Sequence, residues 1–168
     1  MDRRRLLKWL FGLPALTITG AGLAQSRDRV GPALRKSKAA WAALLPREAY
    51  LVLFEEATER AGTSAMNRER RDGTYVCAAC GLALFDSRCK YDSGTGWPSF
   101  WQSLPAALGS KTDFKLLSPR TEYHCARCGG HQGHLFDDGP QPTGKRYCNN
   151  GVALHFVPRA DRLPELRT

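Results

Sequence analysis

Two matching turns, Cys77-Ala78-Ala79-Cys80-Gly81 and Cys125-Ala126-Arg127-Cys128-Gly129, constrain this chain more than any other feature in it. Four thiolates in two Cys-x-x-Cys pairs suit a tetrahedral zinc ion, and the glycine after each pair permits the tight backbone that aims both sulfurs inward. Pairing each Cys-x-x-Cys as a disulfide would close a very small loop, which stabilises little and is easily reduced, so one zinc ion is the expectation. No other ligand is needed, which makes the site closed and structural. A zinc ribbon ordinarily separates its pairs by roughly 15 to 20 residues. Here 44 residues lie between Cys80 and Cys125, so the ion must join parts of a sheet that are distant in sequence.

Charge is concentrated at one end. The chain of 168 residues has a formal net charge of +9, of which residues 1–38 supply +7. The remainder of the chain is nearly neutral, which argues against a nucleic-acid-binding face on the folded part. Arg3-Arg4-Arg5-Leu6-Leu7-Lys8, an apolar stretch from Trp9 to Ala24 and the small residues Gly22-Leu23-Ala24 have the layout of a twin-arginine export signal. Pro14 and several glycines and threonines make that stretch a poor membrane span. The expected organisation is a signal over 1–24, a solvated linker over 25–42, one domain over 43–160 and a tail over 161–168. The protein is expected to be exported to the periplasm, or to stay membrane-anchored if the signal is not cleaved.

Within the domain, Leu45-Pro46 followed by Arg47 to Arg60 reads as a helix ended by Gly62, with Tyr50, Leu53, Phe54 and Ala57 on one face. Short runs rich in Tyr, Val, Phe and Leu then predict strands at 74–77, 114–118, 121–125 and 152–157. The fold class is therefore mainly β: two antiparallel sheets, small helices on the N-terminal side and the zinc at one edge. Gly139-Pro140-Gln141-Pro142-Thr143-Gly144 must be a surface loop.

Two cysteines remain. Cys148 lies between Arg146-Tyr147 and Asn149-Asn150, and a basic neighbour favours the thiolate, so it is the candidate nucleophile. Polar residues on both sides argue against a buried apolar cysteine in a strand. His131 and His134, three apart and just after the second zinc turn, are candidate proton donors.

Three segments together, Ser93-Gly94-Thr95-Gly96-Trp97-Pro98-Ser99-Phe100, the run from Cys128 to His134, and Arg146-Tyr147-Cys148-Asn149-Asn150, closely resemble the B-type peptide-methionine (R)-S-oxide reductases. The resemblance covers Ala43 to about Pro158. It implies an MsrB/Mss4-like fold and the reduction of methionine (R)-sulfoxide in oxidised proteins, through attack by Cys148 and a sulfenic acid left on it. It further implies that His131 and His134 handle the oxygen and that Asn150 orients the site. Trp97 becomes the apolar wall against the substrate methyl group, and Phe136 and Arg146 also contact substrate, with Asp138 a weaker candidate. Many relatives carry a recycling cysteine where this chain has Thr95. Cys89 is then the remaining candidate, with an external dithiol such as a thioredoxin-like protein as reductant. A monomer is expected. The reading from another class is a zinc-stapled β binding module without catalysis, which would not require these three motifs together.

Overall fold

The computed structural model describes residues 30–168, so the expected signal over 1–24 and the first residues of the linker lie outside the described residues. The short helix α1 (Lys38–Leu44) is capped by Ser37, whose Oγ accepts the Ala40 N–H. It buries Trp41, which stacks on Phe54 of α2 (Arg47–Glu55) with ring centroids 4.8 Å apart. Leu34 is tied by its N–H to the Arg127 carbonyl at 2.8 Å. The packed domain therefore begins earlier than the expected boundary at 43. A seven-residue helix with one large apolar side chain is too short to show a period. At the other end, the Arg167 N–H donates to the Cys80 carbonyl and Leu166 packs against the core, so residues 161–168 close over the first zinc turn.

Helix α2 is shorter than expected. Glu56 turns left-handed at φ 52°, the Ala57 N–H returns to the Leu51 carbonyl, and residues 57–60 continue without regular secondary structure. The Glu56 carboxylate receives Lys111 and Lys115, each at 2.5 Å, and is held down at about 2 by those hydrogen bonds.

Among the described residues, nine strands form two antiparallel sheets. The first joins β1 (Gly73–Cys77), β2 (Ala83–Asp86) and β9 (Leu154–Pro158) in the order β2-β1-β9. The second joins β3 (Lys90–Tyr91), β4 (Ser99–Phe100), β5 (Leu108–Asp113), β6 (Arg120–Cys125), β7 (His131–Phe136) and β8 (Arg146–Asn149) in the order β3-β4-β8-β7-β6-β5. An aromatic cluster binds one sheet to the other. Phe85 of β2 stacks on Phe100 of β4 at 4.2 Å and meets the edges of Tyr123 and Tyr147, while Tyr75 of β1 contacts Phe100 and Phe156. Such pairs contribute about 0.5–1.5 kcal/mol each beyond their buried area.

The expected strand at 114–118 is absent. Those residues form an exposed loop between β5 and β6, because their apolar side chains have no facing layer. The expected strand at 152–157 starts at Leu154, after a single turn over Gly151–Ala153. Strand β7 holds both histidines, and β8 holds Cys148. No helix among the described residues is long and apolar enough to cross a membrane.

Candidate active site

Cys77 and Cys80 close the end of β1 while Cys125 and Cys128 close the end of β6, so the two Cys-x-x-Cys turns belong to different sheets. The turns are near copies. In each, the glycine has positive φ (Gly81 78°, Gly129 72°) and its N–H reaches the first cysteine carbonyl at 2.9 Å. The four Sγ atoms lie within 4.8 Å of one another, with Cys77 to Cys128 at 3.7 Å and Cys80 to Cys125 at 3.5 Å. A tetrahedron with zinc–sulfur bonds of about 2.3 Å has sulfur–sulfur edges of about 3.8 Å, so the donor set fits zinc. A disulfide needs about 2.05 Å, which none of the six cysteines satisfies. These four can therefore hold one structural zinc ion, and it would bolt the two sheets together rather than two parts of one.

The zinc end connects to the reacting strands by buried polar groups. Gln132 Nε2 donates to Cys77 Sγ at 3.5 Å, Asn149 Nδ2 approaches Gln132 Oε1 at 3.4 Å, and the Tyr123 hydroxyl donates to Asn149 Oδ1 at 2.8 Å. Asn150 bonds back to β7 twice, through its N–H at 2.8 Å and its Nδ2 at 3.0 Å to the Gln132 carbonyl. Its Oδ1 accepts the Glu59 N–H at 3.0 Å.

Cross-strand register puts Ser99, Cys148, His134 and Glu122 side by side in one row across β4, β8, β7 and β6. Directly opposed residues in antiparallel strands share a face, so Cys148 and His134 are neighbours by construction. His131 should point the other way, being an odd number of residues from His134. An irregularity in the β6–β7 pairing skips Gln132 and restores His131, opposite His124, to the face of His134. The two rings sit 5.4 Å apart.

Their carboxylate partners differ. His131 is 3% exposed, with Nδ1 2.8 Å from Glu122 Oε1, and its pKa is lowered because burial outweighs that partner. His134 Nε2 lies 2.7 Å from Asp113 Oδ2, and Arg120 holds the same oxygen at 2.7 Å. The Lys115 N–H, His134 and Arg120 keep the Asp113 carboxyl well below the usual carboxylate range. With Nε2 committed to Asp113, Nδ1 is the His134 nitrogen left for exchange with a substrate.

A cavity of about 110 Å³ opens at Cys148, lined by Thr58, Trp97, Arg120, His134 and Phe136 among others. His131 does not line it; its ring is buried, 5.4 Å from that of His134. Arg146 also stays off the wall. Its guanidinium covers the Phe136 ring at 4.1 Å and is gripped by Asp138 at 2.7 and 2.9 Å. The Cys148 thiol is half-buried, and burial pushes its pKa up despite the opposing pull of the Arg146 charge and a hydrogen bond from Thr95. The expected lowering by a basic neighbour is thus present but outweighed by desolvation.

Trp97 is aimed by the turn that carries it. Gly94 and Gly96 have φ of 71° and 90°, and Gly96 lies so close to Gly62 and Ala61 that a Cβ would strain the contact. The indole Nε1 donates to the Glu59 carbonyl at 3.0 Å. Glu59 is the residue that sequence reasoning missed most clearly. Its N–H, carbonyl and carboxylate bind Asn150, Trp97 and the N–H groups of Gly151 and Val152 respectively. Nothing in its polar surroundings signals that role. Asp113, Arg120 and Thr58 were missed as well, the first two because they flank the segment read as a strand.

Cys89 is not brought to Cys148. It ends a single turn before β3, opposite Trp101, and lines a separate cavity with Trp101, Gln102 and Leu104. Strand β4 lies between β3 and β8, which puts the two backbones about 10 Å apart by strand spacing. A disulfide needs Cα atoms within about 7 Å. The expected pairing therefore does not match this geometry.

The SelR domain model matches residues 45–158. Curated relatives named peptide methionine sulfoxide reductase MsrB are similar over most of their length. One from Thiobacillus denitrificans is 50% identical over 74% of this chain and 95% of its own. One from Leptospira interrogans is 48% identical over 73% and 95%, and one from Methanosarcina barkeri is 46% identical over 74% and 88%.

Proposed function

The chain belongs to the SelR-domain family, and on that footing we propose how it reduces methionine sulfoxide in peptides and proteins. The observation that carries the reading is the cross-strand pairing of Cys148 with His134, whose Nε2 is held by Asp113, at a small cavity walled by Trp97. A binding module has no use for that alignment, and the relatives are named as enzymes.

The Cys148 thiolate attacks the sulfoxide sulfur. The imidazolium of His134 delivers its proton to the sulfoxide oxygen, and the Asp113 carboxylate stabilises the charged ring. The oxygen ends on Cys148 as a sulfenic acid and methionine departs as the thioether, so the cysteine loses the two electrons that the substrate gains. Trp97 packs against the methyl group and selects the (R) epimer. His131 and Asn150 are positioning residues: one backs His134 and the other ties β8, β7 and Glu59 together. Arg146 holds Phe136 and draws the thiol toward its ionised form.

Recycling consumes an external dithiol such as a thioredoxin-like protein: two thiols reduce the sulfenic acid, giving their disulfide and water. Thr95 beside Cys148 supplies a hydroxyl where a recycling thiol would stand, and Cys89 is two strands away. The protein acts as a monomer, and it is exported to the periplasm; the export reading is supported by the paired arginines and apolar stretch at its N-terminus. Intact mass of the protein from its host cell, showing loss of the first ~24 residues, is the expected result.

The test offers both sulfoxide epimers of a short peptide with a chemical dithiol. Loss of the (R) form alone, abolished in Cys148→Ser with zinc content unchanged, is expected. Equal reduction by the serine variant would refute the mechanism.

A further inference from the structure

Asp113 and Arg120 face each other in register where the chain leaves β5 and enters β6. Between them, Phe114, Leu116 and Leu117 are exposed to 74%, 58% and 107%. Three large apolar side chains in four residues, all in solvent, mark an interaction surface rather than scattered exposure.

Both stems of this loop are parts of the active site. Asp113 Oδ2 holds His134 and Arg120, and Asp113 Oδ1 accepts the Lys115 N–H at 2.9 Å. Arg120 lines the cavity at Cys148. Lys115 is fastened to Glu56. The loop is therefore anchored at its root, one stem residue of which lines the cavity, while its apolar side chains stand in solvent. The cavity itself, about 110 Å³, admits the end of one side chain. The backbone and neighbouring residues of any polypeptide substrate must lie on the rim.

We propose that the Phe114–Leu117 loop is a docking ledge for apolar residues flanking the oxidised methionine in an unfolded stretch of substrate polypeptide. The proposal rests on the sulfoxide reductase reading above. Methionine is used to fill apolar cores, where it shares a helix or strand face with apolar residues two to four positions away in sequence. Oxidation makes the side chain polar and disrupts such cores, which exposes both the sulfoxide and those neighbours. A ledge of Phe and Leu next to a one-side-chain cavity fits that chemistry, and a free amino-acid sulfoxide is too small to reach it.

The test compares the parent chain with the triple variant Phe114→Ser, Leu116→Ser, Leu117→Ser, in which only exposed side chains change. Two substrates are used: N-acetylmethionine (R)-sulfoxide and peroxide-oxidised casein, an unfolded protein. The expected result is a roughly tenfold fall in kcat/KM on casein, mostly through KM, with the small sulfoxide unchanged. Phe114→Leu, Leu116→Met, Leu117→Met should retain activity on casein. An equal fall on both substrates, or no fall on casein, overturns the ledge. A parent chain inert toward the small sulfoxide overturns the reductase reading itself. Co-sedimentation with phosphatidylglycerol vesicles that the serine variant loses, with casein kinetics unchanged, overturns the ledge in favour of a lipid surface.

Discussion

Cys148 illustrates how two local effects compete at one atom. Desolvation raises the thiol, and Arg146 and Thr95 pull it back without reversing the direction. The thiolate fraction therefore grows as pH rises, and the acid limb of kcat/KM should lie above the ordinary thiol range of about 8.5. Arg146→Met removes the cation and should move that limb to higher pH, whereas Arg146→Lys should move it less; a pH–rate profile from 6 to 10 measures both. His134→Asn keeps a polar group on the row but not a proton donor, and a loss of roughly 10²–10⁴ in kcat is expected. Cys89→Ser should leave steady-state turnover with a chemical dithiol within about twofold, because a half-exposed side chain far from the reacting sulfur contributes little. Peptide mapping after one equivalent of sulfoxide should find sulfenic acid on Cys148 and a free thiol on Cys89. A Cys89–Cys148 disulfide would show that β3 and β8 can approach each other.

Among the elements, β7 decides the site. Its skipped residue at Gln132 sets both histidines on one face, and its Gly133 permits close approach to β8. A Cβ at Gly133 would overlap the Cys148 carbonyl oxygen, so Gly133→Ala should push the strands apart. A stability loss of about 1–3 kcal/mol by denaturant titration is expected, with a larger loss of activity. Buried His131 gives the strand a pH dependence. Its pKa is lowered on folding, so between the unfolded value and the folded one the unfolded chain binds more protons than the folded one. Its contribution is full above about pH 6.5 and is lost as pH falls below that. His131→Gln should flatten the drop in Tm between pH 7 and 5. The motif containing both histidines was legible in the sequence, but its strand was not: a glycine-rich polar run carries no alternation of apolar residues. The false strand at 114–118 is the converse case, an apolar run that lies in solvent.

Across the molecule, the four sulfurs and the aromatic cluster are what join the two sheets. Structural zinc sites of this kind contribute about 10–16 kcal/mol in small peptides, comparable to the whole stability of a domain. Chelation should therefore lower Tm and remove activity together, with one zinc released per chain, as read by metal analysis and calorimetry. Residue type at short spacing was enough to single out the zinc ligands, the candidate nucleophile and the candidate histidine pair, because covalent geometry limits the choices over a few residues, whereas the tryptophan turn entered only through the family resemblance. Folding in three dimensions was needed to bring the metal between two sheets, to complete the site with Asp113, Arg120 and Glu59, and to set Cys89 apart from Cys148. Those facts depend on strand order and register, which arise from side-chain packing between segments far apart in the chain, and no local pattern encodes them.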